Sequence, residues 1–312
     1  MSDLPGMDVP ALTGYLAAHD LLPAGDLAVS PISGGRSNLT YEVTAPGTRW
    51  VLRRPPTAGL TASAHDMVRE WTVMSGLQGT AVPVARTIAL CEDEAVLGAP
   101  FTIVEFVEGG VIRTQDDLAS VDDDTLARIV EELVGTLVAL HGVDIDEVGL
   151  GSFGRPDGFV QRQVALWWRQ WGSVRTRDLP DVERLHRALA SSIPVSRRAA
   201  VLHGDFRVDN TILAPGPFER VAAVVDWELS ALGDPLTDVA LMCAYRHPAF
   251  DAILGESAAW TSPRLPDAQA LASTYADAAR RDLPHWPFYQ ALAYFKLAVI
   301  GEGIAHRAAQ GF

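Results

Sequence analysis

His203, Asp205 and Asn210 fall within one short stretch, VLHGDFRVDN, and Asp226 and Glu228 follow in VVDWE. A carboxylate, a carboxamide five positions on and a second carboxylate after a turn make the H-x-D-x-x-x-x-N … D-x-x pattern of phosphoryl transfer. In that chemistry Asp205 takes the proton of an attacking hydroxyl. Asn210 and Asp226 supply oxygens to the magnesium ions that bridge nucleotide phosphates. Such a reaction needs positioning more than covalent help, so base and metal ligands must converge on one phosphate. A tight loop places Asp205 and Asn210 on one side, and the apolar run Val221–Val225 delivers Asp226. Two-residue spacing in an extended segment puts Glu228 on the face of Asp226, in reach of a second metal or of the substrate. Arg207 stands two after the base, where protein kinases carry a lysine, and can neutralise a transferred phosphoryl group.

The rest of the chain must hold these groups. Its 312 residues are 48% hydrophobic and 21% charged, enough for two lobes around buried cores. A net charge of −14 argues against nucleic acid as a partner. No apolar run approaches the roughly 18 residues of a membrane span. The start, MSDLPGMDVP, lacks a secretory pattern, and Cys91 and Cys243 are too few for a disulfide framework. A cytoplasmic location is the expectation.

Helical spacing predicts a first helix over Val9–Leu22. Three strands follow, Leu27–Ile32, Leu39–Val43 and Arg49–Arg53, in an antiparallel meander. The first turn, with Gly34, Gly35, Ser37 and Asn38, can fold backbone N–H groups and two polar side chains over phosphates. In kinase-like folds the third strand supplies the cation that holds the α- and β-phosphates, and Arg53 is the candidate here, a solvated edge arginine being the other reading. Ser63–Gln78 reads as a helix opened by a Ser63/Asp66 capping box, with Glu70 beside its apolar stripe as the partner of Arg53. Val82–Val84 opens a strand region, and Pro100–Val107 is a β-prone run that gives way to EFVEGG. In kinase-like folds the backbone of such a linker hydrogen-bonds adenine, which would fall here to Glu105 and Val107, with the lobe boundary at about Glu108.

Asp122–His141, Val239–Tyr245, Asp267–Arg280 and Trp286–Arg307 have helical periods. Gly151–Arg187 carries seven arginines against four acids and holds Trp167, Trp168 and Trp171. It reads either as a solvated helix with an aromatic stripe or as a substrate-facing lid for an anionic, partly apolar ligand, with Trp168 and Trp171 against that substrate. Asp234 and Asp238, in GDPLTD, are expected to brace loops and cap a helix rather than to catalyse. Lys296, isolated in an apolar helix, can snorkel or reach a ligand, and snorkelling is the expectation.

HGDFRVDN, VVDWE and GDPLTD together resemble the aminoglycoside phosphotransferase/choline kinase-like superfamily of small-molecule kinases. The resemblance extends over GGRSNLTYEV, VLRRPP, AHDMVREW and LGAPFTIVEFVEG. The branch most similar to it occurs alone in bacteria and fused to acyl-CoA dehydrogenases in animals. The resemblance implies an α+β, bilobal, protein-kinase-like fold: a small antiparallel-sheet N-lobe over 1–108 and a larger, mainly helical C-lobe over 109–312. It also implies ATP and Mg²⁺, with Asp205 as catalytic residue, Asn210 and Asp226 on metal, Arg53 in place of the usual strand lysine and Glu70 as the helix glutamate. Arg207 departs from antibiotic kinases, and a cationic segment 155–187 would repel a polycationic aminoglycoside. The branch points to a hydroxyacyl-CoA or hydroxy acid as the small, hydroxylated acceptor. An antibiotic phosphotransferase and a non-catalytic nucleotide-binding module are the alternatives.

Overall fold

The computed structural model describes residues 4–32, 38–57, 66–196, 198–216 and 220–311. These divide into two compact units, one of residues 1–79, 84–108 and 225–228, the other of 80–83, 109–224 and 229–312. The first unit therefore ends its main segment at Glu108 and also claims the short stretch that carries Asp226 and Glu228.

In the first unit, helix α1 (Val9–Ala18) starts where Asp8 accepts a hydrogen bond from Ala11 N. Strands β1 (Ala28–Pro31), β2 (Leu39–Ala45) and β3 (Thr48–Arg54) follow as an antiparallel meander. Helix α2 (Met67–Gly76), β4 (Thr87–Cys91), α3 (Glu94–Leu97) and β5 (Phe101–Glu105) complete the unit. The sheet order is β1-β2-β3-β5-β4, all antiparallel. Tyr41, Val43, Leu52, Phe101 and Ile103 point from the sheet onto Leu12 and Leu16 of α1, all essentially without solvent contact. This is the period-2 alternation of β2 and β3 meeting the period-3.6 stripe of a helix. Asp66 alone caps α2, through Arg69 N at 3.0 Å, and the helix begins at Met67; Ser63, its expected capping partner, lies outside the described residues. Val82–Val84 is not strand. Pro83 has no N–H to donate, and its carbonyl accepts from Val224 N at 2.8 Å instead.

The second unit contains helices α4 (Gln115–Ala119), α5 (Asp123–Gly142), α6 (Phe159–Val174) and α7 (Pro180–Ser191). Four short strands follow: β6 (Ala200–Leu202), β7 (Thr211–Leu213), β8 (Val221–Val224) and β9 (Ala231–Gly233). Helices α8 (Leu236–Ala244), α9 (Phe250–Leu254), α10 (Ala268–Ala279) and α11 (Trp286–Ala309) close the chain. Leu126, Ile129, Val130, Leu133, Leu137 and Leu140 form the buried stripe of α5, which Asp122 caps through Thr125. The strands make two antiparallel pairs, β6 with β9 and β7 with β8. Both pairs frame the loop between β6 and β7, so the HGDFRVDN segment is held at each end by a ladder.

Segment 151–187 is two helices, and most of its charge is spent locally. Arg184 pairs with Asp181, Arg175 and Arg187 flank Glu183, Arg177 pairs with Glu302, and Arg162 donates to the carbonyls of Asp157 and Arg155.

Gly109 and Gly110 run beside β7, where Gly110 and Leu213 exchange both backbone hydrogen bonds, at 2.9 and 2.8 Å. A Cβ on Gly109 would overlap the Leu213 carbonyl and the Ile212 side chain, whereas one on Gly135, inside α5, meets nothing within 4 Å. Gly109→Ala should therefore destabilise the protein by about 1–3 kcal/mol. Gly135→Ala should stabilise it by about 0.5–1 kcal/mol. Urea denaturation midpoints of the two variants should move in opposite directions.

Candidate active site

The loop after β6 is fixed from below by one carboxylate. Asp238, on the first turns of α8, accepts His203 N at 2.7 Å and Gly204 N at 2.9 Å. His141 Nε2 stands 3.4 Å from the same carboxylate and pairs through Nδ1 with the Tyr275 hydroxyl at 2.8 Å. Burial raises the Asp238 carboxyl's pKa, but the hydrogen bonds and the charges of His141 and His203 outweigh it and hold it below the usual carboxylate range. Asp234 serves the next turn, accepting Leu236 N at 3.0 Å and the Tyr289 hydroxyl at 2.8 Å. Gly204 sits at φ +85°, and a side chain there would meet the Leu229 backbone. The motif's glycine thus answers both a left-handed turn and a close backbone approach. Asp238→Ala would orphan two buried N–H donors, each worth about 1–3 kcal/mol. A loss of that order per donor is expected in urea denaturation, with a smaller loss for Asp238→Asn, which keeps one acceptor oxygen.

Above this brace stands Asp205. Its carboxylate accepts from the Tyr245 hydroxyl, from Arg207 Nη2 at 3.1 Å and from Asn210 Nδ2 at 3.0 Å. Burial pushes its pKa up, but Arg207, Tyr245 and Lys296 more than offset that and hold it below the usual range, so it is ionised at neutral pH. Asn210 also donates to the Asp205 carbonyl at 2.7 Å. Among the described residues no donor reaches its side-chain oxygen, the atom able to bind a cation. Arg207 is largely buried between Asp205 and Asp209, whose carboxylate lies 2.7 Å away, and beneath the rings of Tyr245 and Phe250. It faces its own base rather than standing free. Tyr245 gave no signal in the sequence, being 40 positions from Asp205. Asp209 is the other addition, legible only once Arg207 is seen between two acids.

Lys296 does not snorkel. Its ammonium donates to the Gly204 carbonyl at 3.1 Å and lies 5.5 Å from the centre of the Trp167 ring. Trp168 stacks on His186, with centroids 4.0 Å apart, and Trp171 is core, only 2% exposed. Neither lines the cavity beside Gly204; Trp167 does.

In the first unit, Arg53 reaches from β3 to Glu70 of α2 at 2.8 Å and to Asp226 at 3.2 Å. Asn38 Nδ2 donates to the other Glu70 oxygen at 3.2 Å. Glu228 also acts on both Arg53 and Glu70. One guanidinium thus serves three carboxylates. Glu70 has no solvent exposure, and its burial together with the charges of Asp226 and Glu228 outweighs Arg53 and pushes its pKa up to about 7. Asp226 has φ +66°, an uncommon left-handed backbone for a residue with a side chain, and Trp227–Leu229 form a 3₁₀ turn. The extended spacing expected for Asp226 and Glu228 is therefore absent, and the two do not share a strand face. Glu105 ends β5, its N–H bonded to the Arg86 carbonyl and its carboxylate to Arg86 Nε at 2.9 Å; Val107 lies just beyond. Gly34, Gly35 and Ser37 fall outside the described residues.

A carboxyl whose folded pKa lies above its unfolded value stabilises fully below the unfolded pKa and loses that contribution as pH rises through the folded one. For Glu70 the loss should run from about pH 4.5 to about pH 7. Unfolding free energies across this range should fall in the wild type and flatten in Glu70→Gln. Parallel profiles would rule out the titration.

No cluster of three or more His, Cys, Asp or Glu side chains is poised for a metal among the described residues. Asn210 in the second unit and Asp226 in the first each carry a hard side-chain oxygen of the kind a magnesium ion takes. The sequence pattern of the phosphotransferase enzyme family (APH) matches residues 28–291. The chain is 34% identical over 304 residues to acyl-CoA dehydrogenase family member 10 of Mus musculus, covering 96% of this chain and 28% of that protein. It is 34% identical over 294 residues to acyl-CoA dehydrogenase family member 11 of Gallus gallus, covering 91% and 37%. It thus spans about a third of the length of these curated relatives. A crystal structure from Ralstonia eutropha, described as a candidate aminoglycoside phosphotransferase, superposes with TM-score 0.81 at 34% identity, over 97% of this chain and 90% of that one. The macrolide 2'-phosphotransferase MphH of Brachybacterium faecium shares the fold, with TM-score 0.61 at 19% identity, over 96% and 93%. The braced HGDFRVDN loop, the Arg53–Glu70 pair and this matched pattern place the chain in the phosphotransferase enzyme family.

Proposed function

We propose that this phosphotransferase is an ATP-dependent kinase that phosphorylates a hydroxyl on a small molecule. The observation that carries the reading is the Asp205 carboxylate, held ionised by Tyr245, Arg207 and Asn210 on a loop of rigid backbone. An ionised carboxylate fixed in one orientation can align an acceptor hydroxyl and take its proton as the bond to phosphorus forms. Arg207 keeps that carboxylate charged. Arg53, oriented by Glu70, is the proposed cation for the nucleotide's α- and β-phosphates, and Glu105 and Val107 the proposed adenine-facing backbone. Asn210 and Asp226 are the proposed magnesium ligands, with Glu228 as a further one. Magnesium, when bound, would neutralise phosphate charge and orient the transferred group.

In this reading the first unit binds nucleotide and the second carries the base and the acceptor. The acceptor is proposed to be a hydroxyacyl-CoA or a hydroxy acid, supported by the likeness to the acyl-CoA dehydrogenase family members over almost the whole chain. A second reading, phosphorylation of an aminoglycoside, is favoured by the description of the Ralstonia eutropha structure. Two free, buried cysteines and the lack, among the described residues, of any helix long and apolar enough to cross a membrane fit a cytoplasmic location.

ADP formation by the purified protein with Mg²⁺, against hydroxyacyl-CoAs, hydroxy acids and aminoglycosides, tests the reading and separates its acceptors. Asp205→Ala should lower kcat by about 10²–10⁴-fold with nucleotide binding intact. Asp226→Ala should instead weaken magnesium-dependent ATP binding by about 10–100-fold. Turnover surviving in Asp205→Ala would remove the base assignment.

A further inference from the structure

The contacts that hold the base loop end in a cavity of about 370 Å³ in the second unit. Small-molecule sites occupy about 300–1,000 Å³, so the volume suits one. Tyr275 of α10 and His141 of α5 stand in its wall, the tyrosine hydroxyl 2.8 Å from His141 Nδ1. His141 Nε2 lies 3.4 Å from Asp238, the carboxylate under the loop. Val138, Pro235, Leu236 and Pro284 give the cavity apolar surface. None of the residues proposed for base, metal or nucleotide lines it.

Two arginines enter the same cavity, Arg198 from the segment before β6 and Arg281 from the turn between α10 and α11. Arg198 is half-buried and Arg281 exposed, so a ligand can reach both from solvent. Among the described residues neither guanidinium makes an ion pair or donates a hydrogen bond. Burial, and then the charge of Arg281, hold the Arg198 pKa below the usual arginine range, with Tyr275 acting against them. Two like charges kept together without a counter-ion gain from an incoming anion, and a dianion answers both. Two carboxylates also line the cavity. Asp234 is already answered, by Leu236 N at 3.0 Å and the Tyr289 hydroxyl at 2.8 Å. Asp282 is exposed, where water and salt screen it, and neither carboxylate is among the charges acting on Arg198.

We propose that this cavity binds a small organic phosphate, a phosphate monoester whose dianion lies between Arg198 and Arg281 and whose carbon body lies on the apolar wall. Planar guanidinium forks match phosphate oxygens, and the cavity is larger than a phosphate group alone fills. The site stands apart from the kinase reading and holds with or without it. Its position makes it an effector site. A ligand that orders the two arginines beside Tyr275 also orders the far end of the His141–Asp238 brace, and with it the loop that carries Asp205. The His203 and Gly204 amides, which Asp238 holds, are the groups that report this.

Phenyl phosphate is the probe, with inorganic phosphate and benzyl alcohol as its two halves. Each is titrated into the full chain by isothermal titration calorimetry, without nucleotide or magnesium. Phenyl phosphate should bind, inorganic phosphate about 10-fold more weakly, and the alcohol not measurably. Arg198→Met and Arg281→Met should each weaken phenyl phosphate binding by about 10- to 100-fold, the loss of a charge-assisted hydrogen bond. Arg198→Lys, which keeps the charge, should lose less, and Arg53→Met, in the first unit, should lose nothing. Hydrogen-exchange mass spectrometry should show slower exchange at His203 and Gly204 in wild-type protein with phenyl phosphate, and no such slowing in Arg281→Met. No binding of phenyl phosphate, binding that survives both Met substitutions, or binding lost in Arg53→Met would overturn the site. Inorganic phosphate binding as tightly as phenyl phosphate would remove the organic body from the proposal. Unchanged exchange at His203 and Gly204 in the bound protein would remove the effector role. These results leave the kinase reading to the ADP-formation assay.

Discussion

The second unit depends on one buried carboxylate. Asp238 accepts two consecutive backbone N–H groups, from His203 and Gly204, and so fixes the turn from which Asp205 projects. The loop it holds has little regular structure of its own, three residues of β6 before it and a single 3₁₀ turn at its end. Irregular backbone in a core must find partners for its polar groups, and here the partner is a charge. With the loop fixed, three side-chain donors can meet the Asp205 carboxylate. The expectation that Asp234 and Asp238 brace loops matches what both do, although the consequence for Asp205 needed the fold.

The first unit makes the opposite arrangement, several anions on one cation. Arg53 answers Glu70, Asp226 and Glu228, and burial pushes the pKa of the fully buried Glu70 up to about 7. A cluster with more negative than positive charge is poorly balanced in isolation. Asp226 holds an uncommon left-handed backbone within it.

Arginine and lysine play different parts in this protein. Arg207 is clamped between two acids under two aromatic rings, where a planar guanidinium can stack and bond at once. Lys296 sits by a carbonyl and an indole face at the edge of a small cavity. Four of the seven arginines of segment 155–187 pair with Asp181, Glu183 or Glu302. Its apparent excess of charge is therefore a weak guide to any ligand.

The sequence by itself determined what depends on neighbours along the chain. The antiparallel strands, the stripe of α5, the Asp caps and the Asp205–Asn210 spacing are local properties, set by periods of 2 and 3.6 and by short turns. The same holds for the pattern that marks the family. Where local signals competed, reading stopped short. Two-residue spacing suggested that Asp226 and Glu228 share a face, and a left-handed residue followed by a 3₁₀ turn breaks that extension. Only the tertiary structure decided partners distant in sequence: Tyr245 on Asp205 across 40 positions, Lys296 on Gly204 across 92, and Arg53 on Asp226 across 173. These contacts arise from packing, and no periodicity encodes which helix will stand beside which loop.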